Sequence, residues 1–494
     1  MKQNPFVELY KKNKPFALID VRERKDYVEG HWFGSVNIPL SELWRQLQNM
    51  IPWKGFPIYI LAFDDIKFEQ IFESLGYANL HILQYPKPNL GVTGFVRGEY
   101  TWSKAFGEIL CHCTDFKELG AEQLAQDQSQ FNLYDVRPFA EYREFSLPGS
   151  QNLPNSDILG SLKLLQCSKK PAVLHCAGRT RSILGACTLI AAGYADNFFV
   201  FRGGTQAWQL SGRERIYGAS NIVSNEQQSQ SEIISLIQSW EIEITCVQNK
   251  HELNERINCD RALYFDVSND DVQRDLSPRK IRRVSGTNLV QQTDMAIACY
   301  HTPVTLIDSG TCSRAAFSAF WLKMMGYKTS IIKCLTLDEP EDKILTRASK
   351  IIALDPPELE IPIYDFRRSN DFERGTHKHA IWANVSSIKS NASIEKRISV
   401  IVYNESHLNF VELLLNEIQT KISNVFYLDH NDTFEHFEVP EKINNPCDCS
   451  SLFGERHKGN LEHSKAYLAW EEELPHRIDK HVKELWQTNI QTIF

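Results

Sequence analysis

Phe131-Asn132-Leu133-Tyr134-Asp135-Val136-Arg137 is an apolar run that stops at Asp-Val-Arg, and the chain uses that shape more than once. It occurs earlier as Phe16-Ala17-Leu18-Ile19-Asp20-Val21-Arg22. Weaker copies are Ala262-Leu263-Tyr264-Phe265-Asp266-Val267-Ser268 and Ile361-Pro362-Ile363-Tyr364-Asp365-Phe366-Arg367. Internal repetition constrains an architecture before any other signal. Downstream of each copy a small residue leads into Asn with an aliphatic neighbour: Asn37-Ile38, Asn152-Leu153, Asn288-Leu289 and Asn384-Val385. A second apolar run follows, Ile58 to Leu61, Ala172 to His175, Thr305 to Asp308 and Ser399 to Val402, and then a segment of helical periodicity. The first three such segments end in Gly-Tyr, at Gly76, Gly193 and Gly326, as a helix does when a left-handed glycine stops it.

Short buried strands alternating with helices predict an α/β fold of parallel units, each a small sheet flanked by helices. The four aspartates are spaced by 115, 131 and 99 residues. Those intervals are domain-sized, so each unit has room for its own core, and 494 residues are too many for a single one. The expected units are 1–110, 114–218, 230–342 and 350–438, with linkers near 106–115, 218–232 and 340–358. A tail, 440–494, should hold a helix over Leu461 to Glu473 packed back on a domain through Tyr467, Leu468 and Trp470. Hydrophobic residues at 42% and charged residues at 23% exclude a mostly disordered chain. A net charge of −8 argues against wholesale nucleic-acid binding through phosphates. The first residues contain no unbroken apolar stretch of the secretory kind. Ile183 to Tyr194 is too short to cross a bilayer, which needs ~18 residues. Twelve scattered cysteines fit reduced cytoplasmic thiols better than a disulfide framework. A soluble cytoplasmic protein with no membrane partner is the expectation.

One loop carries chemistry. The strand Ala172 to His175 runs into Cys176-Ala177-Gly178-Arg179-Thr180-Arg181, with a helix expected from about Ser182. A cysteine at a strand end, in a tight glycine-containing turn, faces the N–H groups that the helix leaves unpaired. The helix dipole and two guanidiniums favour thiolate over thiol. The same cradle suits an anion lying against the sulfur, and planar guanidiniums can each contact two of its oxygens.

Asp-Val-Arg, Glu141-Tyr142, Pro148-Gly149-Ser150, Asn152-Leu153-Pro154, the Cys176 loop and Arg202-Gly203-Gly204 through Trp208 together resemble the rhodanese sulfurtransferase family. The likeness touches all four units, roughly 8–435, and is strong over 116–212; the chain as a whole is similar to bacterial proteins with four tandem rhodanese modules. The resemblance implies a sulfane sulfur taken from a donor such as thiosulfate onto Cys176 as a persulfide and passed to a thiol or cyanide. It implies that Ala177, Gly178, Arg179, Thr180 and Arg181 bind the substrate, with Arg179 and Arg181 on the anionic donor. Asp135 and Arg137 would support the loop, and no cofactor or metal is implied. The family has Gly-His where this repeat has Phe145-Ser146. Phosphatases on this fold use a loop one residue longer than Cys176 to Arg181, to cradle a full phosphate. A cysteine-dependent phosphatase or arsenate reductase, and a non-catalytic scaffold, are the alternatives.

The other repeats should be silent. Leu61-Ala62-Phe63-Asp64-Asp65 is acidic and lacks cysteine; Tyr403-Asn404-Glu405-Ser406 lacks both cysteine and arginine. Counting back from Gly326 places Ser309 opposite Cys176 and Arg314 opposite Arg181, with Cys312 inside that loop read as a structural thiol and a secondary reactive site as the minority alternative. A hydroxyl is a poor sulfur acceptor at neutral pH. Silent modules would shape the pocket, bind the acceptor, or form a homo-oligomer or partner-protein surface. Cys111-His112-Cys113 and Cys447-Asp448-Cys449 lack the spacing of zinc pairs and are read as ordinary thiols, with a sulfur relay as the minority alternative. His377 and His379 are read as packed or solvated, and Arg279-Lys280-Ile281-Arg282-Arg283 as a solvated basic face.

Overall fold

The computed structural model describes residues 4–62, 68–84, 91–194, 196–223, 228–268, 281–334, 351–352, 361–384, 397–417, 420–428, 433–434, 437–438, 440, 443, 448 and 451–494. Each Asp-bearing run forms a strand: Phe16–Asp20, Asn132–Asp135, Leu263–Asp266 and Ile363–Asp365. Each pairs in parallel with the second apolar run, Ile58–Ala62, Ala172–His175, Val304–Asp308 or Arg397–Val402. On its other side each takes a short parallel strand, Val36–Asn37, Gln151–Asn152, Ile281–Arg283 or Ala380–Trp382. A further parallel strand lies beyond the second run: Leu80–Gln84, Phe198–Phe201, Thr329–Cys334 or Lys421–Tyr427. Continuous apolar runs are what parallel strands covered on both faces require. Gly76, Gly193 and Gly326 end their helices at φ +83°, +81° and +94°, the left-handed stop that Gly-Tyr announces.

The register corrects two of the repeated asparagines. Asn37 stands opposite Asp20 and Asn152 opposite Asp135. The side-chain amide of Asn37 donates to the carbonyls of Asp20 (3.0 Å) and Arg22 (2.9 Å), and Asn152 does the same to Asp135 (3.1 Å) and Arg137 (2.8 Å). In the third and fourth sheets the positions are held by Arg283 and Trp382, not by Asn288 and Asn384. Asn288 lies instead in the helix Gly286–Gln291. Trp382 Nε1 donates to the Arg367 carbonyl at 2.9 Å, and Arg283 Nε lies 3.5 Å from Asp266. Different side chains tie down the same turn, so the Asn pattern slips there.

The sheets are not beads on a string. Cys299–Tyr300 crosses from the third unit to pair antiparallel with Phe16–Asp20 at the edge of the first sheet. The stretch 106–115, expected as a linker, runs largely in the helix Thr101–Cys113, whose residues from Thr101 to Leu110 are all buried. A helix buried on every face sits between bodies. It packs against Thr180–Ala191 of the second unit and against two tail helices, Leu461–Arg477 and Lys480–Gln491. Trp486 of the tail is fully buried, edge-on to Trp102 (4.9 Å) and Phe106 (5.3 Å). Most of 340–358 lies outside the described residues. Among the described residues, no helix is long and apolar enough to cross a membrane.

Candidate active site

The strand Ala172–His175 delivers Cys176 into a turn that closes at the helix Thr180–Ala191, two residues earlier than the sequence suggested. The turn is held from outside by a second helix start, Gly204–Leu210. Thr205 N–H donates to the Cys176 carbonyl (2.9 Å) and Gln206 N–H to that of Ala177 (3.1 Å). This approach needs glycine at 204, where φ is +52° and a Cβ would sit 2.1 Å from the Cys176 oxygen. The N–H groups of Ala177, Gly178, Arg179, Thr180, Arg181 and Ser182 have no acceptor among the described residues. A run of unpaired amides around a turn and a helix start is a concavity for negative charge. The Cys176 side chain sits at that turn, with Sγ 3.7 Å from Ser182 Oγ and the residue 1% exposed.

The two arginines line the cavity but are already paired. Arg181 makes a two-pronged bond to Glu141, at 2.6 and 2.9 Å. Arg179 Nε reaches Glu108 of the helix Thr101–Cys113 at 2.8 Å, with Cys111 Sγ 3.6 Å from its Nη2 and Glu472 3.3 Å from its Nη1. Burial pushes the Glu141 carboxyl up, but Arg181 beside it outweighs that and holds it below the usual range. Burial likewise pushes the Cys111 thiol up to about 11.

Asp135 and Arg137 are fully buried beneath the loop and do not line the cavity. Arg137 bonds both oxygens of Asp135 and also donates to the Phe145 carbonyl, and Ser146 Oγ donates to Asp135 at 2.7 Å. The departure at Phe145-Ser146 therefore keeps the work of the turn. The first sheet has Gly30 accepting from Arg22, and the fourth has Gly375 accepting from Arg367 and Thr376 donating to Asp365. Phe145 has φ −163°, extended backbone that any residue adopts. Burial opposes ionising Asp135, yet Arg137 and its hydrogen bonds hold its carboxyl well below the usual range. His175, whose Nε2 is 2.7 Å from Ser150 Oγ, is pushed down to about 4 by burial despite Asp135 at 3.9 Å.

Above the loop lies a part of the site that the sequence reading missed. Gly178 packs directly under the tail helix, where a Cβ would stand 2.6 Å from Glu471 Oε2 and 2.7 Å from Tyr467 Cε1. Lys104 Nζ bonds Glu471 Oε1 at 2.7 Å and the Tyr467 hydroxyl, and lies 4.4 Å from the Tyr467 ring centroid. Arg456 Cζ lies over the same ring, 4.2 Å from its centroid. Lys104 and Glu471 are both buried. Burial lowers the Lys104 ammonium, and although burial also opposes the Glu471 carboxylate, Lys104 and Tyr467 keep it below the usual range. Together with Gln291 and Gln292 of the third unit, these residues and the whole Cys176–Arg181 loop enclose a cavity of about 250 Å³. One signal was present: Lys104 and Glu108 fall in a helix otherwise rich in apolar residues, so its polar side chains had to meet partners elsewhere.

The register identifies what stands at the cysteine position elsewhere: Ala62, Asp308 and Val402. Asp308, not Ser309, thus occupies that level in the third unit, and its loop to Arg314 is one residue longer. Asp308 accepts the N–H groups of Gly310 (2.9 Å) and Ala315 (3.2 Å), and Arg314 reaches across to Asp157 of the second unit at 2.6 Å. Cys312 is fully buried, and burial pushes its thiol up to about 12. In the fourth unit Tyr403 donates to Asp371, and His407 stacks on Trp44 of the first (4.7 Å). Phe63, Asp64, Asp65, Arg279, Lys280, Cys447 and Cys449 lie outside the described residues. Among the described residues no three His, Cys, Asp or Glu side chains cluster as metal ligands would.

Residues 118–211 match the family model described as a rhodanese-like domain. No curated protein matches the chain. Among solved structures, a thiosulfate sulfurtransferase from Pseudomonas aeruginosa is 21% identical over 98% of each chain, with a TM-score of 0.76. A rhodanese-related protein from Thermoplasma volcanium is 25% identical over 20% of this chain and 98% of its own, with a TM-score of 0.19. A 3-mercaptopyruvate sulfotransferase from Escherichia coli is 13% identical over 44% of this chain and 98% of its own, with a TM-score of 0.22. The first of these shows that nearly the whole chain, tail helices included, shares the fold of the Pseudomonas protein.

Proposed function

We propose that the chain is a sulfurtransferase of four rhodanese-like modules, of which the second alone is catalytic. The observation that carries this reading is the run of six amides, Ala177 to Ser182, that follow Cys176 and have no acceptor among the described residues. Such a run stabilises the negative charge of a terminal persulfide sulfur without any further cation. The family match over 118–211 covers this loop, and the four sheets of matching strand order support the module count.

In the first step the Cys176 thiolate attacks the outer sulfur of a donor such as thiosulfate. A new sulfur–sulfur bond forms, the old one breaks, and sulfite leaves with the electron pair. In the second step a thiolate or cyanide attacks the outer sulfur of the persulfide and the Cys176 thiolate leaves, which gives ping-pong kinetics. Arg179 and Arg181, already neutralised by Glu108 and Glu141, act by holding the loop, and the donor's charge falls to the amides and to Arg456 at the rim. Asp135 and Arg137 support the turn from below, and the scheme uses neither metal nor cofactor. Ten described cysteines are all free, which supports a reducing, cytoplasmic setting.

The test is mass spectrometry of the intact chain after incubation with thiosulfate. A gain of about 32 Da, one sulfur, confined to the Cys176 peptide is expected of covalent transfer. Phosphate release from a chromogenic ester, with no sulfur adduct from any donor, would replace this reading by the phosphatase or arsenate reductase alternative.

A further inference from the structure

We propose that the tail helix Leu461–Arg477 is a fixed roof that confines Cys176 to small-molecule donors and acceptors and shuts out thiols carried on proteins. The inference deepens the sulfurtransferase reading and rests on it.

The roof sits on the loop itself. Tyr467 and Glu471 touch Gly178 so closely that not even a methyl group fits between them. Thr180 Oγ1 lies 3.4 Å from Glu471, and Ser464 Oγ bonds Gln206 at 2.6 Å, on the helix whose first N–H groups hold the Cys176 turn. A carboxylate and an ammonium, Glu471 and Lys104, are buried here at 1% and 4% exposure and neutralise each other. Opening the roof would break this pair together with the contacts of Tyr467 and Glu471 on Gly178 and Thr180.

The helix is also fastened at its far end. Trp470 Nε1 donates to the Arg97 carbonyl at 3.0 Å, and its ring closes on Gly98. The Arg477 carbonyl accepts from Gly94 N–H at 2.7 Å, and Asn4 bonds Asp479 at 2.6 Å. Beyond it, Trp486 and Asn489 bond the carbonyls of Met325 (3.1 Å) and Met324 (3.0 Å) in the third unit. The roof helix is thus tied to the first and second units, and the helix that follows it to the third.

What remains is about 250 Å³, below the ~300 Å³ at which sites for drug-sized ligands begin. An inorganic anion or a free aminothiol fits that volume. A cysteine on a folded protein would have to bring its own backbone past Tyr467 to reach Cys176, a residue that is 1% exposed. The lining groups Arg456, Glu141 and Gln292 suit small charged solutes.

The experiment compares two acceptors of the same chemistry on the full chain preloaded with thiosulfate: free cysteine, and a small folded carrier protein bearing one surface cysteine. Free cysteine should discharge the persulfide at least about 100-fold faster than the carrier, well beyond ordinary docking differences among related partners. Tyr467→Ala should narrow that ratio to below about tenfold, with Trp470→Ala as a second variant if the first fails to fold. Equal rates in the natural chain, or a ratio unmoved in a folded roof variant, would overturn the proposal. If no persulfide forms at all, the sulfurtransferase reading fails on its own. The roof is then judged by alkylation of Cys176 with iodoacetamide against a maleimide on a 5-kDa polymer, and the same ratios of about 100 and below about ten apply.

Discussion

The loops after Ala172–His175 and Val304–Asp308 leave their sheets at the same level and reach helices joined by a Trp321–Thr188 hydrogen bond of 2.9 Å. In the second unit six amides of the loop and helix start have no acceptor among the described residues. In the third, one added residue and an aspartate change the outcome, because the Asp308 carboxylate itself accepts the N–H of Gly310 in the loop and that of Ala315 at the helix start. The first loop invites an external anion; the other has supplied its own. The arginines diverge in the same way, since Arg181 pairs with Glu141 inside its unit while Arg314 has become an inter-unit tether to Asp157. A catalytic scaffold is converted into a structural one by filling its cradle, with the sheet left untouched.

The strongest way to break this contrast is Cys176→Ser. It should lower thiosulfate–cyanide turnover by at least about a thousandfold, because a hydroxyl is not ionised near neutrality. Residual turnover assigned to another thiol would end the claim that one loop alone is active. Next, Lys104→Met leaves Glu471 buried and unpaired, at 1% exposure. A loss of about 3–5 kcal/mol in the unfolding free energy from urea titration is expected, and adding Glu471→Gln should return most of it. No loss would mean that the roof does not depend on the pair.

A third effect separates the units by pH. His175 stands where the other sheets have Leu61, Ile307 and Ile401, and burial lowers it to about 4. The folded form is neutral while the unfolded histidine takes up a proton below about pH 6.5. Stability is therefore lost as pH falls from about 6.5 to 4, by about 1.4 kcal/mol per pH unit for this one group. Hydrogen exchange of the second unit should show that slope, and His175→Leu should flatten it. The smallest effect concerns Cys312, whose thiol is held protonated by burial. Cys312→Ser should change turnover by less than about twofold. Asp308→Cys should take up no sulfur, as the longer loop and tethered Arg314 remain; uptake there would show that residue identity, not loop length, made the difference.

The strands were legible because an apolar run ending in Asp-Val-Arg is both a buried strand and the start of a tethered turn. Cys176 and its loop were legible for a similar reason, since strand, glycine and helix start are consecutive. The third loop was misread by one position because counting back from Gly326 assumes a constant loop length, whereas the sheet register fixes Asp308. The tethering position slipped because Arg283 and Trp382 take it in the third and fourth sheets. The roof was out of reach for a different reason. Lys104 and Glu471 are 367 residues apart, and nothing in the sequence matches the charge in the apolar helix to its partner in the tail.

That separation has a temporal side. Between Arg181 and Glu471 lie nearly three hundred residues of the printed sequence. At the ~5–20 residues per second of translation, the second unit would fold and wait roughly a quarter of a minute to a minute before its covering helix is made. During that wait the sulfur stands uncovered, open to chaperones, oxidants and partner proteins that the finished molecule turns away.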